Sequence, residues 1–130
     1  MARILLVDDS MYQRIKMRKF LEGAGYEVVE SGDGEEGLRM AASCEPDCMV
    51  LDLLMPKVDG MEVLRRLQDQ HLALPVIIHT SDVQEQTRQE CLALGAADLL
   101  TKPSRDVDFL GAITRALQPQ GKEAGNAAAA

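Results

Sequence analysis

Two patterns of hydrophobic and polar residues alternate along the chain, and together they recur five times. The first is a short apolar run, found at residues 4–7, 28–29, 48–51, 76–78 and 99–100. Three of these runs are continuous rather than alternating, which is typical of parallel strands covered on both faces. The runs therefore predict five strands, with a sheet buried between two outer layers.

The second pattern is an amphipathic segment of helical periodicity, which follows each apolar run. Ser10 can cap the first segment, and Gly23 and Gly25 predict its end. The others run from about residue 34 to 43, follow Asp59 and Gly60, begin near Asp82, and follow Ser104. The inward faces carry Gln13, Met17, Phe20, Leu21 and Ala24; Leu38 and Ala41; Met61, Leu64 and Leu67; Val83, Thr87, Cys91 and Leu94; and Phe109, Ile113 and Ala116.

Five strands that alternate with five helices over short connections imply right-handed crossovers. We therefore expect an α/β fold over residues 1–117, a doubly wound three-layer sandwich with a parallel sheet in the middle. The remaining residues, QPQGKEAGNAAAA at 118–130, show no apolar periodicity. They are predicted to form a flexible C-terminal tail or the start of a linker.

Composition narrows the classes of function. With 130 residues the chain suits one domain. A net charge of −7, only four aromatic residues and no Trp argue against nucleic-acid binding, which needs clustered cations and stacking rings. No segment approaches the roughly 20 apolar residues that cross a membrane. Three cysteines without a C-x-x-C pair indicate reduced thiols in a cytoplasmic protein rather than a metal or redox centre.

Polar side chains follow four of the five predicted strands, at the edge where a doubly wound sheet gathers its functional groups. A lone Asp there is usually a helix N-cap and a lone Lys is usually solvated. Because Ser10 can cap the first helix by itself, the two acids before it are surplus to capping. The set therefore indicates a site; it consists of Asp8, Asp9, Asp52, Thr80 and Lys102.

The charges of this set suggest its chemistry. Three crowded carboxylates repel one another unless a cation lies between them. Mg²⁺ fits, because it prefers oxygen ligands and takes one or two carboxylates with a carbonyl and waters. An ionised Asp52 is then a nucleophile towards a phosphoryl group, whose oxygens Mg²⁺ and Lys102 would hold while the Thr80 hydroxyl donates to another.

Four motifs in this order, ILLVDDS, VLDLLMPKVDG, PVIIHTSD and LLTKP, resemble the receiver domain of two-component response regulators, chemotaxis-regulator-like. The similarity covers about residues 2–117. It implies a flavodoxin-like sheet of strand order 2-1-3-4-5. It also implies that the chain is a phosphoacceptor switch, which catalyses only its own phosphorylation and dephosphorylation.

The resemblance assigns a role to each site residue. Asp52 is the phosphoacceptor, Asp8 and Asp9 are the acidic pair with Asp9 as the direct metal ligand, and the backbone carbonyl of Leu54 completes the metal shell. Mn²⁺ is expected to substitute for Mg²⁺. Thr80 is the switch hydroxyl, Lys102 is the family's lysine, and the Lys102–Pro103 bond is expected to be cis.

The resemblance also implies partners. A histidine kinase or histidine phosphotransfer protein supplies the phosphoryl group, and the basic first helix, with Arg14, Lys16, Arg18 and Lys19, is either its docking face or a solvated surface. The face formed by the fourth helix, fifth strand and fifth helix contacts an output protein or domain. Direct DNA binding is not expected, because no helix-turn-helix remains once the strands are assigned. The chain is either complete or the receiver of a longer regulator with a DNA-binding or enzymatic output.

Three positions depart from the family pattern. The family often has an aromatic residue three positions before the lysine, where this chain has Leu99, so the signal is expected to travel mainly through the loop after Thr80 and the fourth helix. Leu54 and Asp82 flank the approach of the water that removes the phosphoryl group. Leu54 offers no polar group there, whereas Asp82 does.

Rival interpretations are weaker. Gly32, Gly34 and Gly37 match the dinucleotide pattern G-x-G-x-x-G, but the acids between them would repel a pyrophosphate, so a turn capped by Asp33 is preferred. An Asp-nucleophile phosphatase would need an acid where Leu54 stands. A receiver that only binds partners would have lost a member of the site. His79 is interpreted as a satisfied interior residue, since it has no ligand-spaced partner.

Overall fold

A computed structural model describes residues 1–118, so nearly all of the predicted tail lies outside the described residues. Each predicted strand and helix is present between residues 3 and 116. The strands are β1 (Arg3–Val7), β2 (Glu27–Ser31), β3 (Cys48–Leu51), β4 (Val76–Thr80) and β5 (Asp98–Thr101). The helices are α1 (Met11–Gly23), α2 (Gly34–Ser43), α3 (Gly60–Asp69), α4 (Glu85–Ala93) and α5 (Asp106–Ala116).

The five strands form one parallel sheet in the order β2-β1-β3-β4-β5. This confirms the predicted flavodoxin-like topology, in which the order reverses next to β1 and opens a crevice at the carboxyl edge. The register pairs Val7 with Leu51, and Leu51 with Ile78. Residues that follow β1, β3 and β4 therefore meet at one place.

The sheet separates two apolar cores, as the continuous runs predicted. One core lies under α2, α3 and α4 and the other under α1 and α5. Apart from Phe109, the buried residues of both are aliphatic or sulfur-containing. The three cysteines are free thiols, and burial raises the pKa of Cys48 to about 12. Within residues 1–118, none of the helices combines the length and apolarity needed to cross a membrane.

One predicted helix start and two predicted inward-facing residues were wrong. Helix α4 begins at Glu85 rather than near Asp82, and Val83 is 74% exposed rather than inward-facing. The reason is local: the Asp82 carboxylate accepts hydrogen bonds from the backbone N–H of Gln84 and the hydroxyl of Thr87, which closes a turn in place of the first helical turn. Ala24, predicted on the inner face of α1, is exposed and follows the helix.

The glycine-rich turn before α2 serves packing rather than phosphate binding. Asp33 caps the helix, as predicted, by accepting a hydrogen bond of 2.7 Å from the N–H of Glu36. A Cβ on Gly34 would lie 2.6 Å from the backbone oxygen of Val58, and one on Gly37 would lie 3.0 Å from the side chain of Val7. These two glycines therefore let α2 approach the sheet and the loop before α3 closely.

Candidate functional site

Three carboxylates meet at the carboxyl edge of the sheet. Asp8 and Asp9 follow β1 and Asp52 follows β3. One oxygen from each lies within 4.8 Å of the others, and they are the group of acids in residues 1–118 placed to hold a metal ion. The structure thus brings together the acids that the strand ends singled out.

Lys102 reaches the cluster from the loop after β5. Its Nζ lies 2.9 Å from Oδ2 of Asp8 and 3.5 Å from Oδ2 of Asp52. Both carboxylates are buried, so the ammonium acts in a poorly solvated place and compensates charge strongly there. The Lys102–Pro103 peptide bond is cis.

Asp8 uses both of its oxygens inside the protein. Oδ2 accepts the bond from Lys102, and Oδ1 accepts a hydrogen bond of 2.9 Å from the backbone N–H of Ser10. The hydroxyl of Ser10 in turn caps α1 by accepting from Gln13, as predicted. Asp9, by contrast, is exposed and sits at the mouth of the cluster.

Asp52 is held tightly at its backbone and loosely at its side chain. Its N–H donates to the carbonyl of Val7 at 3.0 Å, and a Cβ on Gly60 would lie 2.6 Å from its carbonyl oxygen. Its Oδ1 accepts only a long bond of 3.3 Å, from the N–H of Leu54. Burial raises the pKa of Asp52; the ammonium of Lys102 opposes this and the charge of Asp8 adds to it.

Thr80 ends β4 and is fully buried. Its Oγ1 accepts a hydrogen bond of 3.2 Å from the N–H of Asp82, and its carbonyl accepts one of 2.7 Å from the N–H of Lys102. The hydroxyl proton of Thr80 therefore remains free to donate. Leu99 is also buried, in the core that faces α4.

The donor set of this cluster fits a hard divalent cation. Three carboxylates outnumber the one ammonium that approaches them, and each offers an oxygen to a common point. Receiver-type acidic pockets of this composition suit Mg²⁺, which takes few protein oxygens and keeps several waters. Asp9 and Asp52 would bind it most directly, because both oxygens of Asp8 are engaged.

The contribution of Asp52 to stability without metal should fall as pH rises. Because the folded-state pKa of Asp52 lies above its ordinary 3.8, its favourable contribution is complete below that pH and is lost as pH rises through the raised value. Urea unfolding in chelator should show Asp52→Asn gaining about 1–2 kcal/mol over the wild type at pH 7.5 and less at pH 4. Asp69→Asn, at an exposed acid, is the control. A gap that does not vary with pH would contradict this assignment of the pKa shift.

Four exposed apolar or aromatic residues that lie close in sequence to the site residues were missed by the sequence analysis. Met11, Tyr12 and Ile15 are 65%, 70% and 50% exposed on α1, and Leu54, two residues after Asp52, is 58% exposed. The signal was present, since the three helical residues fall outside the inner face of α1. Two of the basic residues noted on α1, Arg14 and Arg18, instead pair with Glu30.

Fold and site together define a class, the chemotaxis-regulator-like α/β domains with an acidic pocket and a lysine at the carboxyl edge of the sheet. The chain belongs to the response regulator receiver domain family, whose model matches residues 4–114. It is a receiver domain of two-component response regulators, which confirms the resemblance stated above.

Individual relatives support the same assignment. The alkaline phosphatase synthesis transcriptional regulatory protein PhoP of Bacillus subtilis is 41% identical over 78% of this chain and 42% of its own length. The response regulator MprA of Mycobacterium avium is 39% identical over 91% of this chain and 53% of its own length. The chain therefore spans about half the length of these curated relatives.

Solved structures agree on the fold. Chemotaxis protein CheY4 of Vibrio cholerae superposes with a TM-score of 0.82 at 34% identity, over 90% of this chain and 99% of that one. A CheY-like receiver domain protein of Methanospirillum hungatei JF-1 superposes with a TM-score of 0.87 at 28% identity, over 95% and 98% of the two chains. Both neighbours are receiver-type proteins.

Proposed function

We propose that this chain accepts a phosphoryl group on Asp52 in a Mg²⁺-dependent reaction and thereby switches its affinity for a partner. The observation that carries the proposal is the Lys102 ammonium, 2.9 Å from Asp8 and 3.5 Å from Asp52, at a cluster of three acids of which these two are buried. Such a cluster attracts a divalent cation, and the cation together with the Lys102 ammonium can then compensate the negative charge of a phosphoryl group, a role that helix capping does not require.

The chain's own residues account for the transfer. A carboxylate oxygen of Asp52 attacks phosphorus, a new P–O bond forms, and the bond to the donor breaks with its electron pair leaving on the donor group. Lys102 stays beside Asp52 and stabilises the charge on one phosphoryl oxygen, and the Thr80 hydroxyl donates to another. Mg²⁺, when bound, neutralises the remaining charge on the phosphoryl group. We infer that Mn²⁺ can substitute, with the Leu54 carbonyl as a further ligand.

The phosphodonor is proposed to be a histidine kinase or a histidine phosphotransfer protein, since response regulators take phosphoryl groups from histidine kinases. Met11, Tyr12, Ile15 and Leu54 are exposed and lie close in sequence to Asp9 and Asp52, and we infer that they form one apolar patch at the mouth of the site. A partner that buries this patch also excludes water from Asp52. Arg14 and Arg18 on the basic face of α1 already form ion pairs with Glu30. Apolar contacts are therefore a stronger basis for docking of the phosphodonor than this basic face.

The output surface is proposed to be the face formed by α4, β5 and α5. Thr80 and its partner Lys102 connect the site to β5, and Arg88 of α4 donates to the carbonyl of Leu99 at 3.5 Å. PhoP is described as a transcriptional regulatory protein about twice as long as the matched region. A second candidate is therefore that this receiver controls an output domain in a longer regulator. A phosphatase is not favoured, because position 54 presents a solvent-exposed leucine.

Labelling with a small phosphodonor tests the proposal. With acetyl phosphate and Mg²⁺ the intact mass should rise by one phosphoryl group, and excess EDTA should prevent the rise, since the acid cluster is then left uncompensated. Mn²⁺ added after EDTA removal should restore it. Full labelling in EDTA would contradict a metal-dependent acceptor.

Thr80 is expected to matter more for signalling than Leu99. Thr80→Ala removes the hydroxyl next to the acceptor and should lower phosphorylation-dependent partner binding at least tenfold, about 1.4 kcal/mol. Leu99→Met preserves the core volume and should change phosphorylation-dependent partner binding less than twofold. Leu99→Ala should lower the free energy of unfolding by about 2–5 kcal/mol, but the fraction that remains folded should also bind the partner within twofold of the wild type. Equal losses of phosphorylation-dependent binding in the Thr80 and Leu99 variants would defeat this prediction.

A further inference from the structure

His79 and Ser104 form a contact beside the catalytic lysine that joins two distant parts of the chain. His79 lies in β4 and is buried, and its Nε2 lies 3.1 Å from Oγ of Ser104. Ser104 stands two residues after Lys102 in the loop between β5 and α5. The contact therefore ties the lysine-bearing loop to the strand that carries Thr80.

The direction of this hydrogen bond follows from the environment of the ring. Burial, with the charge of Lys102, lowers the pKa of His79 to about 4, so the imidazole is neutral at pH 7. Its Nδ1 is buried without a hydrogen-bond partner among residues 1–118. The prediction that His79 has its hydrogen bonds satisfied is therefore confirmed for Nε2 and wrong for Nδ1. Burying an unpaired N–H costs about 1–3 kcal/mol. An orphaned buried N–H is rarer in proteins than an under-satisfied buried acceptor, so the proton is assigned to Nε2, which donates it to Ser104.

Two hydrogen bonds tie the lysine-bearing loop to β4 where the loop borders a cavity. A cavity of about 260 Å³ lies between α1 and α5, and residues 102–104 line it together with His79. Within the loop, the backbone N–H of Lys102 donates to Thr80 at 2.7 Å, and Ser104 accepts from His79. The lysine is thus tied to β4 at its own backbone and again two residues later.

We propose that His79 is a positioning residue whose bond to Ser104 holds the Lys102 ammonium between Asp8 and Asp52. The imidazole also packs near the ring of Phe109, with the two ring centroids 5.4 Å apart. This inference rests on the proposed function, since it assigns His79 to the reaction through Lys102. A reacting group displaced by about 1 Å can lose about a hundredfold in rate, so one clamping bond has a measurable effect.

The test compares the rate of phosphorylation with the affinity for Mg²⁺ in the full chain. His79→Leu and Ser104→Ala should each slow labelling by acetyl phosphate about tenfold, and the double variant should be no slower than either, because both remove the same bond. Mg²⁺ affinity should stay within about twofold, since neither change touches Asp9 or Asp52. His79→Gln, whose amide N–H can replace Nε2–H, should recover the rate to within about threefold of the wild type.

Several outcomes would overturn the inference. They are unchanged rates in the single variants, additive losses in the double variant, or no recovery in His79→Gln. Phe109→Leu is the packing control, because it loosens the ring's surroundings and keeps the bond; an equal loss of rate in this variant would assign the effect to packing and overturn the inference.

A separate readout distinguishes failure of this inference from failure of the proposed function. A wild-type chain that takes no label refutes the proposed function. The NMR signal of the Lys102 Cε methylene then reports the position of the ammonium without any phosphoryl transfer. It should shift in His79→Leu and Ser104→Ala and return in His79→Gln, and an unshifted signal overturns the positioning role.

Discussion

Asp52→Asn is expected to abolish phosphorylation by any donor while leaving the fold intact. The amide occupies the same volume, but it has no anionic oxygen to attack phosphorus. Asp52 is buried, and one of its carboxylate oxygens lies 3.5 Å from the amine of Lys102. Among residues 1–118, Asp8 is the other buried acid that contacts Lys102, but both of its oxygens already accept hydrogen bonds. Intact-mass measurement after incubation with acetyl phosphate and Mg²⁺ should show no added phosphoryl group.

Asp9→Asn provides the matched control. It removes a carboxylate from the same cluster but keeps the acceptor, so its labelling should be slow at low Mg²⁺ and should recover as Mg²⁺ is raised. Asp52→Asn should not recover at any Mg²⁺ concentration. Labelling of Asp52→Asn at the wild-type rate would identify a different acceptor and remove the basis of the proposed function.

The arrangement that suits the site to its proposed function also lowers the stability of the folded domain. Three acids lie together, and burial raises the pKa of Asp52, which the proposed reaction requires in its ionised form. In the absence of metal the cluster therefore destabilises the folded domain, and the same crowding of negative charge favours the binding of a cation. Functional sites commonly carry such a cost in folding free energy, which neutral substitutions at the site recover.

The order of strands and helices could be predicted from the sequence because burial on both faces of a strand leaves a clear run of apolar residues. Strands buried on both faces must be continuously apolar, so β1, β3 and β4 were found with correct positions. The residues that follow them then had to meet at one edge of the sheet. That reasoning placed Asp8 and Asp52 together, whereas Lys102 follows β5, whose apolar run is only two residues long.

Hydrogen bonds and ion pairs made by individual side chains could not be predicted from the sequence in the same way. The start of α4 depends on a local competition, in which the Asp82 carboxylate closes a turn that periodicity alone does not reveal. The bond between His79 and Ser104 joins residues 25 positions apart and depends on the register of β4 and β5. That Lys102 lies closer to Asp8 than to Asp52 is likewise a result of three-dimensional geometry.

Lys102→Met is expected to slow phosphorylation and to tighten Mg²⁺ binding at the same time. The ammonium contacts Asp8 and approaches Asp52, so it competes with a metal ion for the negative charge of these two acids. Removing it should increase Mg²⁺ affinity about tenfold, or about 1.4 kcal/mol. The loss of a charge that stabilises the transferring phosphoryl group should lower the labelling rate about a hundredfold at saturating Mg²⁺.

Lys102→Arg distinguishes the effect of the positive charge from the effect of its position, and Lys19→Met is the control for loss of a lysine away from the site. The arginine variant keeps the positive charge and should keep wild-type Mg²⁺ affinity, but its planar fork does not reproduce a compact ammonium between Asp8 and Asp52, so labelling should still be slow. Lys19 is exposed on α1, and its loss should change neither quantity. Weaker Mg²⁺ binding in Lys102→Met would show that the lysine supports the metal site rather than opposing it, and an unchanged labelling rate would remove Lys102 from the reaction. Opposite movement of rate and affinity is the result that only an ammonium shared between the acids and the phosphoryl group can produce.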